Sequence, residues 1–243
     1  MDFFSRTPNL LSFEAYGKYH IITLFIILVL FIVTVGFREK LRNWKKEKTF
    51  RMITVSIAIV FEVAYKLWVI YVGKDVLENV FSLDLCAISL YMAWILFFTK
   101  KKALFNILYF FSLGALASLL YPDFGTFGPD HMRFYHYFIV HTFIIWSVVY
   151  FIAVYDYRIK FKDCLHSFII LMSSGVLVLG VDLLLKTNYM FLIEKPDVGT
   201  PLDYFGAWPT YLIGLGLLIV ILFFIIYIPW FFVNRYSKGN HIK

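Results

Sequence analysis

Few residues in this chain combine a reactive side chain with an apolar setting, and its chemistry must lie among them. Cys86 stands in the run Leu83-Asp84-Leu85-Cys86, Glu62 and Lys66 stand four apart in another run, and His136 and His141 five apart in a third. Asp182 lies near the end of a fourth run, His20 opens the first, and His131 and Arg133 directly precede the run that carries His136. An ionisable group inside a spanning helix costs on the order of 3 kcal/mol on insertion scales, so each needs a physical reason. Thiol, imidazole and carboxylate are the parts of nucleophilic acyl transfer. Imidazole beside a thiol yields thiolate, the thiolate attacks an ester carbonyl, and the imidazole then acts as base for the acceptor hydroxyl. Cys86 and His141 are the candidate catalytic pair. Arg133 and Lys66 are candidates for holding a phosphate head group, and Asn188 or Tyr189 for donating to the oxyanion. His20, Glu62, Asp84, His131 and Asp182 complete the supporting set.

Each of these residues also has a structural role open to it. Glu62 and Lys66 can neutralise each other across one helical turn. A lone Cys packs as a small hydrophobe, and a lone intramembrane His can simply hydrogen-bond a neighbouring helix. Asp182 can pair with Arg133, Lys186 or Lys66. Depth favours chemistry: at 1.5 Å per residue, Cys86 and Lys66 lie roughly 9 Å, and His141 roughly 10 Å, from the same ends of their helices. A polar cavity opening from that end is the expectation.

The elements that must position these groups follow from composition. Of 243 residues, 61% are hydrophobic and 16% charged, with mean hydropathy +0.76. Soluble chains are roughly 45–50% apolar and roughly 25% charged, so a soluble enzyme, a nucleic-acid-binding domain and a disordered chain are all excluded. Seven apolar runs, near 19–37, 52–72, 80–98, 104–121, 134–155, 165–185 and 210–233, are long enough to span a bilayer as helices. The fold class is therefore all-α: one polytopic membrane domain of seven transmembrane helices. Sixteen Lys and Arg fall in the loops on one side and in the C-terminal tail, and six on the other side. That asymmetry predicts an outside N-terminus and a cytoplasmic C-terminus, with the polar groups in the outer half. Cys86 and Cys164 then face opposite sides and do not pair, and no cleavable signal peptide is expected. Two outer loops, Pro122–Arg133 and Thr187–Pro209, are long and rich in Pro and Gly, the chemistry of ordered binding loops or of caps on the bundle. The short basic tail Asn234–Lys243 reads as an anchor to anionic lipid.

Several segments, taken in order, carry a resemblance. They are Phe13-Glu-Ala-Tyr-Gly-Lys-Tyr-His20, Glu62 with Lys66-Leu-Trp68, Leu83-Asp-Leu-Cys86, Tyr121-Pro-Asp123, His131-Met-Arg133 with His141, Asn188-Tyr-Met190 with Lys195-Pro196, and Trp208-Pro-Thr-Tyr211. The set resembles the YwaF-like bacterial integral membrane proteins, which are related to the eukaryotic transmembrane protein 164 acyltransferases. The resemblance implies a compact multi-helix membrane fold and, from the eukaryotic branch, transfer of acyl chains between glycerophospholipids by an essential Cys and His. Those roles fall on Cys86 and His141, with His20 and His131 as further candidates. The family often has His where this chain has Asp84, Asn where it has Asp182, and Gly where it has Lys186.

A lipid acyltransferase in a bacterial plasma membrane, with phospholipid or lysophospholipid partners and no cofactor, is thus the first expectation. No metal is expected, because the His residues lack a helical H-x-x-x-H pair. A transporter or small-molecule receptor using Glu62 and Asp182 is the alternative; the lack of repeat symmetry and the nearly apolar inner half weigh against it. A non-catalytic assembly partner is the third class, and no docking domain speaks for it.

Overall fold

The computed structural model describes residues 2–196 and 199–239. Asp197 and Val198 of the second long loop, and residues 240–243 of the basic tail, lie outside the described residues. The helices are, in chain order, α1 (Lys18–Gly36), α2 (Arg38–Arg42), α3 (Glu47–Val72), α4 (Val76–Val80), α5 (Leu85–Thr99), α6 (Lys102–Leu120), α7 (Met132–Tyr155), α8 (Phe161–Leu185) and α9 (Thr210–Gly239). Among the described residues seven spans are long and apolar enough to cross a membrane, the third of them made of α4 and α5 together. The only strand-like pairing among the described residues is an isolated bridge between Ser12 and Phe127.

α3 and α8 begin five and four residues ahead of their apolar runs, and both extensions are charged. Glu47 and Asp163 lie in the first turns of α3 and α8, where a carboxylate is stabilised by the helix dipole. Asp163 also accepts the Lys160 N–H at 2.8 Å. Hydropathy marks the hydrocarbon, not the turn of helix that continues into the interface.

α7 is the axis of the bundle. Of its most apolar stretch 72% is buried, against 17–33% for the other spans, and it packs against α1, α2, α3, α5 and α6. α8 packs on α6 and α9 on α8, so these two form the periphery. The core between α5, α6 and α7 is aromatic: Phe97, Phe105, Phe110, Phe111, Tyr150 and Phe151 are all fully buried. Rings supply large contact area with few rotatable bonds.

The two ends of the bundle are closed differently. At the basic end, Arg42 donates to the carbonyls of Val154 and Ala153 at 3.1 and 2.8 Å, capping α7. There one Glu47 oxygen receives Tyr150 and Tyr155 hydroxyls at 2.8 and 2.7 Å and Arg51 Nε at 3.2 Å. At the other end, the loop end, residues 2–17 fold over residues 121–131. Phe13 N–H donates to Thr126 and Met132 N–H to Phe3, both at 3.0 Å. Gly128 permits that closure, since a Cβ there would sit 1.9 Å from the Leu11 carbonyl oxygen.

Candidate functional site

The third span is interrupted just before its cysteine. The chain turns at Phe81–Asp84, where the Ser82 hydroxyl donates to Asp84 Oδ2 at 2.8 Å and accepts the Asp84 N–H at 3.3 Å. α5 begins at Leu85, so Cys86 occupies its first turn, where backbone N–H groups have no partner within the helix. The half-buried thiol lies 3.6 Å from the Ser118 hydroxyl of α6. Gly114, four residues earlier, faces the same place: a Cβ there would lie 3.0 Å from Leu85 Cδ2 and 3.6 Å from the thiol sulfur. Gly and Ser four apart let two membrane helices approach closely. Neither residue is ionisable, so a search for charge within the apolar runs passes over both. The Gly-x-x-x-Ser spacing is the sequence signal that marks this face.

His141 is on the axial helix, and its ring lies 4.3 Å from the Tyr137 ring. Its Nδ1 is 2.7 Å from the Tyr137 carbonyl, which only accepts, so Nδ1 carries the proton. Nε2 makes no hydrogen bond among the described residues and presents a lone pair. Tyr137 in turn donates its hydroxyl to the Ser118 carbonyl at 2.7 Å. The thiol therefore touches Ser118, and the imidazole packs against the tyrosine that is bonded to the Ser118 carbonyl. Thiol and imidazole make no hydrogen bond to each other.

Glu62 has a nearer partner than the one its spacing suggests. It accepts from His136 Nε2 at 2.9 Å and lies 3.6 Å from Lys66 Nζ. His136 stacks on Tyr65 at 3.9 Å, with the Arg133 guanidinium 4.7 Å above the same Tyr65 ring. His136 Nδ1 is buried without a partner among the described residues. Lys66 also donates to the Val80 carbonyl at 2.6 Å and to the Tyr91 hydroxyl at 2.8 Å. Two hydrogen bonds and the ion pair with Glu62 thus hold its ammonium group.

The other supporting residues hold the structure. His20 accepts the Tyr16 N–H on Nδ1 and donates from Nε2 to the Leu119 carbonyl at 2.8 Å. With Tyr16 on Leu120 and Tyr137 on Ser118, it covers the last carbonyls of α6. His131 caps the start of α7, accepting the Arg133 N–H at 3.0 Å, and donates to the Ser5 carbonyl at 2.9 Å. Both ring nitrogens of each are used, so neither supplies a base.

Three carboxylates clasp the second loop. Glu78 accepts the Asn188 N–H at 3.2 Å, Asp182 the Tyr189 N–H at 3.0 Å, and Asp84 the Met190 N–H at 3.0 Å. Asp182 also takes the Thr187 hydroxyl at 2.7 Å, so its partner is the loop and not Arg133, Lys186 or Lys66. The Asn188 side chain donates to the Glu194 carbonyl, and Tyr189 is buried. Burial first, then the charges of Glu78, Asp84 and Asp182, raise the Tyr189 phenol above its ordinary value and keep it protonated. Asn188 and the backbone of Tyr189 thus hold the loop together. Glu62 and Asp182 belong to separate networks. Lys186 sits at φ 57, a conformation that favours Gly.

An apolar groove of about 500 Å³ opens between α1, α3 and α7, lined by Ile27, Leu30, Ala58, Phe138, Thr142 and Trp146 among others. Neither α5 nor α6 contributes to it, so it is separate from Cys86. Among the described residues no cluster of three or more His, Cys, Asp or Glu is placed to hold a metal.

No curated protein and no solved structure matches this chain. One family model does, that of the TMEM164 family, over residues 15–227. The match runs from the segment ahead of α1 into α9 and takes in Cys86, Ser118, His136 and His141. This multi-pass membrane protein belongs to the TMEM164 family.

Proposed function

We propose that the chain is a membrane-embedded acyltransferase that moves fatty acyl chains between glycerophospholipids or lysolipids, with Cys86 as nucleophile and His141 as base. The observation that carries this reading is the convergence of α5, α6 and α7 at Ser118. A thiol in the first turn of one helix lies 3.6 Å from its hydroxyl, and the tyrosine bonded to its carbonyl lies against an imidazole whose Nε2 is free. Membership of the TMEM164 family, and the resemblance of its motifs to the transmembrane protein 164 acyltransferases, support the same chemistry.

The steps balance. The thiol proton passes to His141 Nε2, the sulfur–carbon bond forms as the ester carbon–oxygen bond breaks, and the leaving lysolipid oxygen takes the proton. The acceptor hydroxyl then yields its proton to Nε2 and displaces the thiolate from the thioester. In place of Asn188 and Tyr189, the first-turn amides of α5 are the donors for the oxyanion; one such donor is worth about 3 kcal/mol. Arg133, half-buried at the loop end, is the candidate for the head-group phosphate. The Lys and Arg asymmetry favours a loop end facing outward, and the lipids of this reading are those of the outer leaflet of a bacterial plasma membrane.

The test is transfer in vesicles of defined phospholipid containing the purified protein and labelled lysophospholipid. Labelled diacyl product from the wild type, and none from Cys86→Ala or His141→Ala, is expected. Equal product from Cys86→Ala overturns the reading.

A further inference from the structure

Hydroxyls inside spanning helices usually return their proton to a carbonyl one turn back, where no other partner exists. Five hydroxyls here follow the habit, whereas those of Ser56, Thr142, Ser173 and Ser174 have no hydrogen-bond partner among the described residues. Thr23, Thr34, Thr54, Ser89 and Ser147 each donate to the carbonyl four residues earlier at 2.6–2.9 Å. Ser118 does not. The only hydrogen-bond partner of its hydroxyl among the described residues is the Cys86 sulfur at 3.6 Å, across the α5–α6 contact that Gly114 keeps close. Its backbone is held from the opposite side, because Tyr137 donates to the Ser118 carbonyl at 2.7 Å and packs against His141.

We infer that Ser118 is a positioning residue for Cys86, its hydroxyl donating to the sulfur and holding it toward the ester as the thiolate forms. The inference rests on the acyl-transfer reading of Cys86 and adds to it a third residue that never bonds to the acyl group. Ser118 keeps its own proton throughout; the thiol proton goes to His141. The backbone bond from Tyr137 fixes the height of Ser118 on α6, so the positions of hydroxyl and imidazole are set by one tyrosine.

A packing role and a hydrogen-bonding role predict opposite orders of variants. Ala removes the hydroxyl and fits the space, whereas Thr keeps the hydroxyl and adds a methyl group. The experiment measures the rate of Cys86 alkylation by iodoacetamide at fixed pH in the full-length protein carrying Cys164→Ser, followed by intact mass. Acyl transfer at saturating lipid is measured alongside. A hydrogen bond to an ionised group predicts alkylation about ten-fold slower in Ser118→Ala. Transfer falls by a similar factor with KM unchanged, and Ser118→Thr restores both. Alkylation of Ser118→Ala at the wild-type rate overturns the inference, as does a loss in Ser118→Thr greater than in Ser118→Ala. The alkylation arm needs no lipid, so failure of acyl transfer in the wild type, with alkylation still dependent on Ser118, counts against the acyl-transfer reading alone.

Discussion

At the basic end of the bundle, Glu47 gathers two tyrosines and Arg51 on one oxygen while Arg42 closes α7. At the loop end, among the described residues, His141 Nε2 makes no hydrogen bond and the one hydrogen-bond partner of the Cys86 thiol is Ser118 at 3.6 Å. Both regions bury polar groups in an apolar bundle, but they spend them differently. The basic end uses charge to tie one helix to another. The loop end contains ties of the same kind, in His20, His131 and the three-carboxylate clasp, and these surround a small set of groups left uncommitted. A polar residue inside a membrane helix is therefore no sign of chemistry by itself. What marks the loop end is that a thiol and an imidazole are linked there through Ser118 and Tyr137.

That contrast can be broken at either end. The largest effect expected is from Glu47→Ala, which leaves Arg51, 3% exposed, and two tyrosine hydroxyls without their acceptor. Loss of one partner of a buried pair costs about 3–5 kcal/mol, read as a lowered unfolding temperature in detergent. Acyl transfer per folded molecule stays at the wild-type level, because Glu47 lies at the end of the bundle opposite Cys86. Gly128→Ala comes next. A Cβ placed 1.9 Å from the Leu11 carbonyl forces the N-terminal segment off the loop end, at a cost of about 1–3 kcal/mol. Limited proteolysis near residues 2–17 should quicken.

Asp182→Ala removes the acceptor of two hydrogen bonds and costs about 1–3 kcal/mol. Asp182→Asn keeps the accepting oxygen and should recover most of that loss in a thermal-unfolding comparison. Equal losses in the two variants would show that the charge, and not the clasp, matters. The smallest effect is a gain: Lys186→Gly relieves a left-handed residue and should stabilise by about 0.5–1 kcal/mol.

The spans were legible because twenty apolar residues in a row have one stable solution in hydrocarbon. The break at Phe81–Asp84 was not, since Val80, Phe81 and Leu83 continue the apolar run and only Ser82 and Asp84 signal a turn. Cys86 and His141 stood out by type. Their setting did not: Glu62 meets His136 across 74 positions of sequence, and Ser118 has no charge to draw attention. His20 and His131 show the converse, as their types suggest chemistry while their positions at helix ends make them caps. Local spacing finds partners one turn apart; it cannot find those that helix packing supplies.

The central claim is that Cys86 carries the acyl chain. The most direct measurement is the intact mass of the purified protein after incubation with a phospholipid of defined chains, with Cys86→Ala and His141→Ala run beside it. The account predicts a hydroxylamine-labile gain of one acyl mass on the wild type, its absence from Cys86→Ala and its marked reduction in His141→Ala. An adduct that persists in Cys86→Ala, or no adduct on a wild type that still transfers acyl chains, would contradict it.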